Sequence, residues 1–228
     1  DVSINVKAGE VIGITGLAGS GKSAIGRACF GVNKIEAGTI SYLDDVIFDS
    51  SKQINDISPR AMLDRGMLYL PSDRRAEGLI MEQNIRENIS LPSLGLPKFS
   101  NGIIVNRKNE KDIVEKIGDR LNFNSQGIEN KIEQLSGGTQ QKVMLAKSFA
   151  RDVQLFILDE PTVGVDIKTR VAIYELIKEF CESGEAVMLI SSDLSELVNL
   201  SHRIYIISEK NACVEFNAED FIEHEDVH

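Results

Sequence analysis

The chain has 228 residues, of which 42% are apolar and 26% charged, a composition that predicts a globular protein with a sizeable core and excludes a disordered one. Its 25 Lys and Arg against 35 Asp and Glu give a net charge of −10, which argues against nucleic acid as the main partner, because phosphate binding needs an excess of cations. Three cysteines without metal-ligand spacing indicate free thiols in a reducing compartment.

The first third of the chain is predicted to contain strands, turns and one helix. Period-two alternation predicts the first strand, and short apolar runs predict the buried ones. In chain order these elements are a strand at 2–6, a strand at 11–14, a helix at 23–30, a strand, turn and strand at 39–48, and a strand at 67–70.

The middle and the last third differ in pattern. Residues 72–150 are predicted to be mostly helical, because apolar residues recur at helical spacing between 113 and 121 and again after Gly138, while Pro, Gly, Ser and Asn make 91–106 a loop. Strands and helices then alternate, which predicts a parallel sheet with helices packed on it. These later elements are a strand at 155–158, a helix at 168–181, a strand at 187–190, a helix at 194–200 and a strand at 203–207.

A glycine-rich motif between the strand at 11–14 and the helix at 23–30 matches G-x-x-x-x-G-K-[ST] in full, in the strand–loop–helix context of a P-loop. Glycines let successive backbone N–H groups turn toward an anion, and the helix start adds its positive dipole end. Lys22 is expected to reach the β- and γ-phosphates, and the Ser23 hydroxyl to bind Mg²⁺. The predicted ATP-binding residues are Gly16, Leu17, Ala18, Gly19, Ser20, Gly21, Lys22 and Ser23.

Two acidic residues follow the buried strand at 155–158. Ligands of open α/β sheets bind at the carboxyl ends of the strands, so a P-loop upstream favours a functional role over an exposed turn. We expect Asp159 to hold Mg²⁺ and Glu160 to be the catalytic residue that polarises the water attacking the γ-phosphate.

A third motif carries a family resemblance. Residues 135–142 read Leu-Ser-Gly-Gly-Thr-Gln-Gln-Lys and lie between the P-loop and Leu-Asp-Glu-Pro. On its own Ser-Gly-Gly is a common helix start, but in this order it resembles the signature motif of the ABC ATPases, over nearly the whole chain. The resemblance implies that two nucleotide-binding domains pair head to tail and that each presents its signature to ATP on the partner's P-loop. These signature residues are Ser136, Gly137, Gly138 and Gln140.

Asp166 lies six residues after Glu160, at the place of the D-loop, which crosses the dimer interface in this family. An aspartate just before a predicted helix also suits an N-cap. The two roles are compatible, so both are expected.

Two serines depart from the common family pattern. Ser72 stands where most ABC ATPases have the Q-loop glutamine, and Ser192 stands where they have the switch histidine. The serine at 192 and the segments 73–79 and 85–89 resemble the second, C-terminal nucleotide-binding domain of tandem monosaccharide importers of the ribose, galactose and xylose type. Since the family's adenine-stacking aromatic would precede Asp1, the chain is expected to be a fragment of a longer tandem protein.

Three arginines in the middle of the chain leave two interpretations open. Arg74 and Arg75 are either a solvated charge pair or residues at a nucleotide or domain interface. In the family the helical subdomain docks onto cytoplasmic helices of the permease, near Ser72 to Leu91. Arg86 is therefore either an exposed contact to the permease or a solvated helix residue.

The resemblance implies an α/β fold of the RecA-like P-loop NTPase type, with a parallel-sheet core, an antiparallel β edge and an inserted helical subdomain. One nucleotide-binding domain is expected over the whole chain. Its parts are a core at 1–71 and 151–215, a helical subdomain with the signature at 72–150 and a tail at 216–228.

The function implied by the resemblance is ATP hydrolysis that energises uptake of a simple sugar, with ATP and Mg²⁺ as cofactors. The implied partners are a first nucleotide-binding domain on the same or another chain, a membrane permease and, indirectly, a periplasmic or extracellular sugar-binding protein. The implied location is the cytoplasmic face of the cell membrane, and nucleic acid is not expected as a partner.

Two alternatives to this function remain open. A regulatory module that binds ATP with little hydrolysis is favoured by Ser72 and Ser192 and opposed by Lys22, Asp159 and Glu160. A non-transport ABC ATPase acting on DNA or ribosomes would need a long coiled-coil insertion or a basic linker, and the sequence has neither.

Overall fold

The computed structural model describes residues 2–123, 125, 127–208 and 213–218. By its internal contacts the chain divides into two units. The first, which we name the sheet unit, takes its described residues from 1–69, 154–160 and 177–228. The second, the helical unit, comprises the described residues of 70–153 and 161–176.

A six-stranded sheet forms the centre of the sheet unit. Strand β1 pairs in parallel with β7 and β8, β6 pairs in parallel with β7, and β9 pairs antiparallel with β8 at one edge. The strand order is β5-β6-β7-β1-β8-β9. Their bounds are Val11–Gly16 (β1), Met67–Leu70 (β5), Leu155–Asp159 (β6), Ala186–Ile190 (β7), Arg203–Ile207 (β8) and Cys213–Asn217 (β9).

The register of the parallel strands determines where their following loops lie. Ile190 is opposite both Ile14 and Asp159, so β6 and β7 end at the same level, and β1 continues two residues further, to Gly16. The loops that follow these three strands therefore emerge at one edge of the sheet, which is where open α/β sheets bind ligands.

A smaller antiparallel sheet completes the strands of this unit. It consists of Thr39–Tyr42 (β2), Asp45–Asp49 (β3) and Ile54–Asn55 (β4). The helices of the sheet unit are α1 at Lys22–Cys29, α2 at Pro59–Asp64, α7 at Leu194–Leu200 and the C-terminal part of α6, which spans Ile167–Glu182. Both sheets contribute to one apolar core, which includes Ile12, Ile14, Ile47, Met62, Ile157, Ile190 and Tyr205.

The helical unit is built from short helices around α3, which packs against α4 and α5. Its α-helices are α3 at Ile85–Ser90, α4 at Arg107–Arg120, α5 at Gly137–Ala146 and the N-terminal part of α6. One π-helical turn, Arg74–Gly78, precedes them, and 3₁₀ turns lie at Leu91–Ser93, Ile132–Gln134 and Lys147–Ala150. Within the described part of the chain, no helix has the length and apolarity needed to span a bilayer.

Most predicted elements form, and one predicted strand does not. Residues 2–6 alternate in polarity yet form no strand. Ile4 and Val6 pack partly against the core, while the Asn5 carbonyl accepts from Nη2 of Arg203 at 3.0 Å. The side chain of Arg203, far along the chain, thus hydrogen-bonds to this segment, whereas the pattern had implied pairing with a neighbouring strand.

Helix α2 was not predicted, and α3 was predicted only as part of the mostly helical region 72–150, although both carry local signals. Ser58 caps α2 ahead of Pro59, and Asn84 forms a capping box with Glu87 at the start of α3. These are standard helix-start patterns. The predicted tail at 216–228 lies largely outside the described residues, except for the end of β9 and Ala218.

Both interpretations of Arg86 as an exposed residue are wrong. Its side chain is only 11% exposed and pairs with Glu110 at 2.7 Å and Glu129 at 2.8 Å. Glu110 is itself buried and also accepts from the Ser90 hydroxyl at 2.6 Å. Arg86 is therefore an internal link between α3, α4 and the segment before the signature.

Candidate functional site

The P-loop residues form a turn between β1 and α1. Gly19 and Gly21 have φ angles of +85° and +89°, a left-handed backbone that side chains other than glycine rarely adopt. The Ser20 N–H donates to the Leu17 carbonyl at 3.0 Å, and Leu17 is 75% exposed. The Ser20 Oγ is buried and has no hydrogen-bond partner among the described residues, so this loop leaves a polar atom free beside the helix start.

The two acidic residues at the end of β6 lie beside the P-loop residues within the sheet unit. The Ser23 hydroxyl donates to Oδ1 of Asp159 at 2.9 Å, and the Tyr69 hydroxyl donates to Oδ2 at 2.9 Å. Burial raises the pKa of Asp159, while these two hydrogen bonds act in the opposite direction. Tyr69 is a partner that sequence reasoning missed, because it lies on a different strand, β5.

Glu160 has an unusual backbone conformation. Its φ of +50° is left-handed, and its N–H donates to the Ile190 carbonyl of β7 at 2.8 Å. Such conformations in residues other than glycine carry a cost and cluster at functional sites. The bend turns the chain immediately after the buried strand and directs the carboxylate toward α1 and the loop after β7.

Lys22 and Ser192 both bind the Glu160 carboxylate. The Lys22 ammonium lies 2.9 Å from Oε1 of Glu160 and also donates to the Ser192 hydroxyl. Ser192 donates to the carboxylate twice, through its hydroxyl to Oε1 at 2.5 Å and through its backbone N–H to Oε2 at 3.2 Å. The expected lysine, glutamate and switch-position serine thus form one hydrogen-bonded cluster.

Electrostatics keep Glu160 ionised. Burial alone would raise its pKa, but the hydrogen bonds from Ser192 and Lys22 outweigh burial and hold the pKa below its usual range. The Lys22 and Glu160 side chains are only 11% and 15% exposed, so their attraction is weakly screened by solvent.

The donor set fits a nucleotide with Mg²⁺. Mg²⁺ prefers oxygen ligands and is usually held by one or two protein groups, with phosphates and waters supplying the rest. Ser23 and Asp159 offer one hydroxyl and one carboxylate oxygen 2.9 Å apart. Among the described residues there is no group of three or more His, Cys, Asp or Glu placed to hold a metal.

The residues predicted to form the signature and the D-loop lie together in the helical unit. Ser136 caps α5 by accepting from the Thr139 N–H at 3.2 Å. Asp166 accepts the Thr169 N–H and hydroxyl, both at 3.0 Å, as an N-cap does at the start of α6. A Cβ built on Gly138 would lie 2.7 Å from Oγ1 of Thr169, so only glycine permits this approach.

Two further predicted positions belong to the same unit. Gln140 is buried, and its amide donates to the Ile132 and Leu135 carbonyls at 3.1 Å and 3.2 Å. It fixes the loop that leads into the signature. Ser72 follows β5 and Pro71 and is exposed.

Comparisons with known proteins identify the family of the chain. Residues 1–163 match the family described as ABC transporter. The ribose import ATP-binding protein RbsA of Oceanobacillus iheyensis is 37% identical over 92% of this chain and 40% of its own length. That of Caldanaerobacter subterraneus subsp. tengcongensis is 39% identical over 97% of the chain and 43% of its own length. The chain thus spans about two fifths of the length of these curated relatives.

Solved structures share the fold. The dimeric post-hydrolysis state of the ATP-binding cassette MJ0796 bound to ADP and Pi superposes with a TM-score of 0.77, at 23% identity, over 96% of this chain and 89% of that one. A nucleotide-free ATP-binding cassette from an ABC transporter gives the same TM-score over 97% of the chain and 86% of its own. With the family match covering most of its residues, the chain belongs to the ABC transporter family.

Proposed function

We propose that this chain binds MgATP and hydrolyses it to energise uptake of a simple sugar. The observation that carries the proposal is the cluster of Lys22, Ser23, Asp159, Glu160 and Ser192 at the carboxyl edge of a parallel sheet. The relatives are named as ribose import ATP-binding proteins, which favours a monosaccharide of that class. The partners we propose are a second nucleotide-binding domain, a permease at the cytoplasmic face of the membrane and, through the permease, a sugar-binding protein.

Each residue of the cluster has a proposed task in this reaction. The P-loop backbone and Lys22 bind the phosphates. Ser23 and Asp159 would hold Mg²⁺, and the bound ion neutralises phosphate charge. Glu160, kept ionised by its neighbours, accepts a hydrogen bond from the attacking water and orients it. Ser136, Gly137 and Gly138 present a helix start to ATP on the partner domain, as N–H groups at helix starts bind anions.

A second candidate function is a regulatory site that binds ATP and turns over slowly. The observation that favours it is the double contact from Ser192 to Glu160. A carboxylate held in this way has a lowered pKa and is a weaker base. The full proposal and this alternative differ in the turnover of this site, not in its ATP binding.

We further propose that the chain is the second nucleotide-binding domain of a tandem subunit. Ser192 and the segments 73–79 and 85–89 support this position, since they resemble that domain. The sequence encoded upstream of Asp1 tests it, and a complete nucleotide-binding domain there is the expected result. An upstream region without a P-loop would contradict the tandem arrangement.

Replacing Lys22 by Ala tests nucleotide binding. The substitution removes the cation that faces the phosphates, so we expect ATP affinity to fall more than about tenfold. Isothermal titration calorimetry with MgATP measures this, and Lys7→Ala, which removes an exposed lysine of the same unit, is the matched control. Equal affinities in both variants would contradict the P-loop assignment.

A further inference from the structure

Arg74 begins the π-helical turn Arg74–Gly78 in the helical unit. Both ends of this turn are fixed. Asp73 caps its start by accepting the Arg75 and Ala76 N–H groups at 3.0 Å each. At the other end the half-buried Lys147 ammonium donates to the Gly78 carbonyl. The turn therefore holds the base of the Arg74 side chain in one place.

The guanidinium of Arg74 reaches the signature helix and the segment before the D-loop aspartate. Its Nε–H donates to Oε1 of Gln140 at 3.3 Å, and Nη1 donates to the Val163 carbonyl at 3.3 Å. Gln140 belongs to α5, which starts with the signature glycines. Val163 lies between Glu160 and Asp166 in sequence. One side chain thus bonds to both functional segments.

Close packing accompanies these hydrogen bonds. A Cβ built on Gly137 would lie 2.9 Å from Nη2 of Arg74, so the guanidinium lies against the backbone of the signature. A Cβ on Gly164 would lie 3.6 Å from Nη1. Beyond Gly137, the next glycine, Gly138, approaches the Asp166 and Thr169 side chains. The start of α5 is therefore enclosed by Arg74 and by the start of α6.

We propose that Arg74 is a positioning residue, which clamps the signature helix start to the segment 163–166 so that both meet the partner's nucleotide as one body. This inference rests on the proposed function, because it assigns Arg74 a task in hydrolysis at a site shared by two domains. A planar guanidinium with donors in a fixed fork suits the task, since it can bond to two segments at set angles. A lysine ammonium, a single point charge, cannot keep both bonds and the close contact with Gly137.

The neighbouring Arg75 gives a matched control. Its side chain is exposed, while that of Arg74 is half-buried. The structure thus separates two arginines that the sequence left equivalent. The same conservative substitution, Arg→Lys, can be made at both positions without changing net charge.

The experiment uses the assembled transport complex. We expect Arg74→Lys to lower kcat for ATP about fivefold or more while KM for ATP stays within about twofold, because the clamp acts in turnover and not in binding by the chain's own P-loop. Arg75→Lys should keep wild-type values. Unchanged kcat in Arg74→Lys, or a raised KM with unchanged kcat, would overturn the proposal.

Hydrogen exchange of the chain alone separates positioning from general stability. In Arg74→Lys we expect faster amide exchange in residues 136–140 and 163–166 together, with an unchanged melting temperature. Faster exchange throughout the helical unit with a lowered melting temperature would mean that Arg74 only stabilises the fold, and would overturn the proposal. If the wild-type complex hydrolyses no ATP, the proposed function fails, whereas the exchange pattern still decides whether the clamp exists.

Discussion

At the scale of single residues, the environment of Glu160 shapes the chemistry that is open to it. A left-handed backbone directs the side chain, and three donors from Lys22 and Ser192 then hold its carboxylate. These donors favour ionisation, so the carboxylate is ready to accept a hydrogen bond from water at neutral pH. They also make it a weaker base, since basicity falls with pKa.

The Tyr69 hydroxyl donates to Asp159, the proposed Mg²⁺ ligand, and so orients its carboxylate. Tyr69→Phe removes the donor to Oδ2, and among the described residues it leaves Ser23 as the hydrogen-bond donor to the carboxylate. We expect the Mg²⁺ concentration needed for half-maximal ATP binding to rise by roughly tenfold, the size of effect typical of groups behind a metal ligand. Calorimetric ATP titrations at graded Mg²⁺ measure the change.

Tyr42→Phe is the matched control for that experiment. Tyr42 is also a buried tyrosine of the sheet unit, and its hydroxyl contacts Gln154 at 3.5 Å, away from Asp159. We expect its Mg²⁺ dependence to equal that of the unsubstituted protein. An identical response of the two variants would show that the Tyr69 hydroxyl does not act through Asp159.

At the scale of secondary-structure elements, the helical unit depends on the ion pairs of Arg86. Arg86→Gln would leave Glu110, which is 1% exposed, as a buried carboxylate without its main cation. Breaking a buried pair in this way costs about 3 kcal/mol or more of unfolding free energy. Urea denaturation measures this loss, and ATP affinity of the folded variant should be unchanged.

Arg107→Gln provides the comparison for Arg86. Arg107 also contacts Oε2 of Glu110, at 3.1 Å, but its side chain is 66% exposed. An exposed pair contributes about 1 kcal/mol or less. Equal losses in the two variants would contradict the assignment of Arg86 as the internal link.

Lys147 links the 3₁₀ turn after α5 to the π-helical turn, and it predicts a pH effect. Burial lowers the pKa of its ammonium to about 8. Between pH 8 and the usual lysine range the unfolded chain binds a proton that the native chain lacks, so this group makes the unfolding free energy rise with pH. From pH 7 to pH 9, we expect the unfolding free energy of the protein to rise relative to Lys147→Met by about 1 kcal/mol.

The comparison with Lys147→Met removes other titrating groups from the measurement. Other ionisable groups, such as Cys29 with a pKa raised to about 11, contribute equally to the unfolding free energy of both proteins. Their contributions therefore cancel in the difference. Urea denaturation at the two pH values gives the difference. A constant difference between the two proteins would show that Lys147 stays fully charged in the native state.

Among the secondary-structure elements and motifs, those with a local sequence signal could be predicted. The strands β1, β6, β7 and β8 were predicted because their apolar runs are local, and the P-loop because its motif and context are contiguous. The prediction of a strand at 2–6 was wrong. The alternation of apolar and polar residues could not reveal that Arg203, far along the chain, bonds to the backbone of this segment.

The partners of charged side chains could not be predicted either, because they lie on distant segments of the chain. Arg74 and Arg86 were left as solvated or interface residues, because their contacts with Val163, Gln140 and Glu110 join distant segments. Ser192 was identified from the sequence only as the residue at the switch-histidine position, and the structure adds its two bonds to Glu160. Spacing along the chain predicts elements and motifs, while such side-chain bonds depend on tertiary packing.

At the scale of the whole molecule, the proposed reaction needs two domains, since we propose that the signature acts on the partner's nucleotide. The two sites of such a dimer need not turn over equally. Serine at 192 cannot carry the positive charge that a histidine could offer to the γ-phosphate. Losing one such contact costs on the order of 2–4 kcal/mol of transition-state stabilisation. We therefore expect the partner's site to perform most of the hydrolysis.

Glu160→Gln in the intact transporter tests this unequal division. The substitution keeps the shape of the side chain but removes the carboxylate that orients water, so the site should bind ATP and stop hydrolysing it. We expect total ATPase to fall only modestly, by less than about half, if the partner's site carries most turnover. The equivalent Glu→Gln change in the partner domain is the matched control and should remove most activity. Near-complete loss of ATPase in Glu160→Gln, with ATP binding preserved, would show that this site is essential and that Ser192 is no handicap.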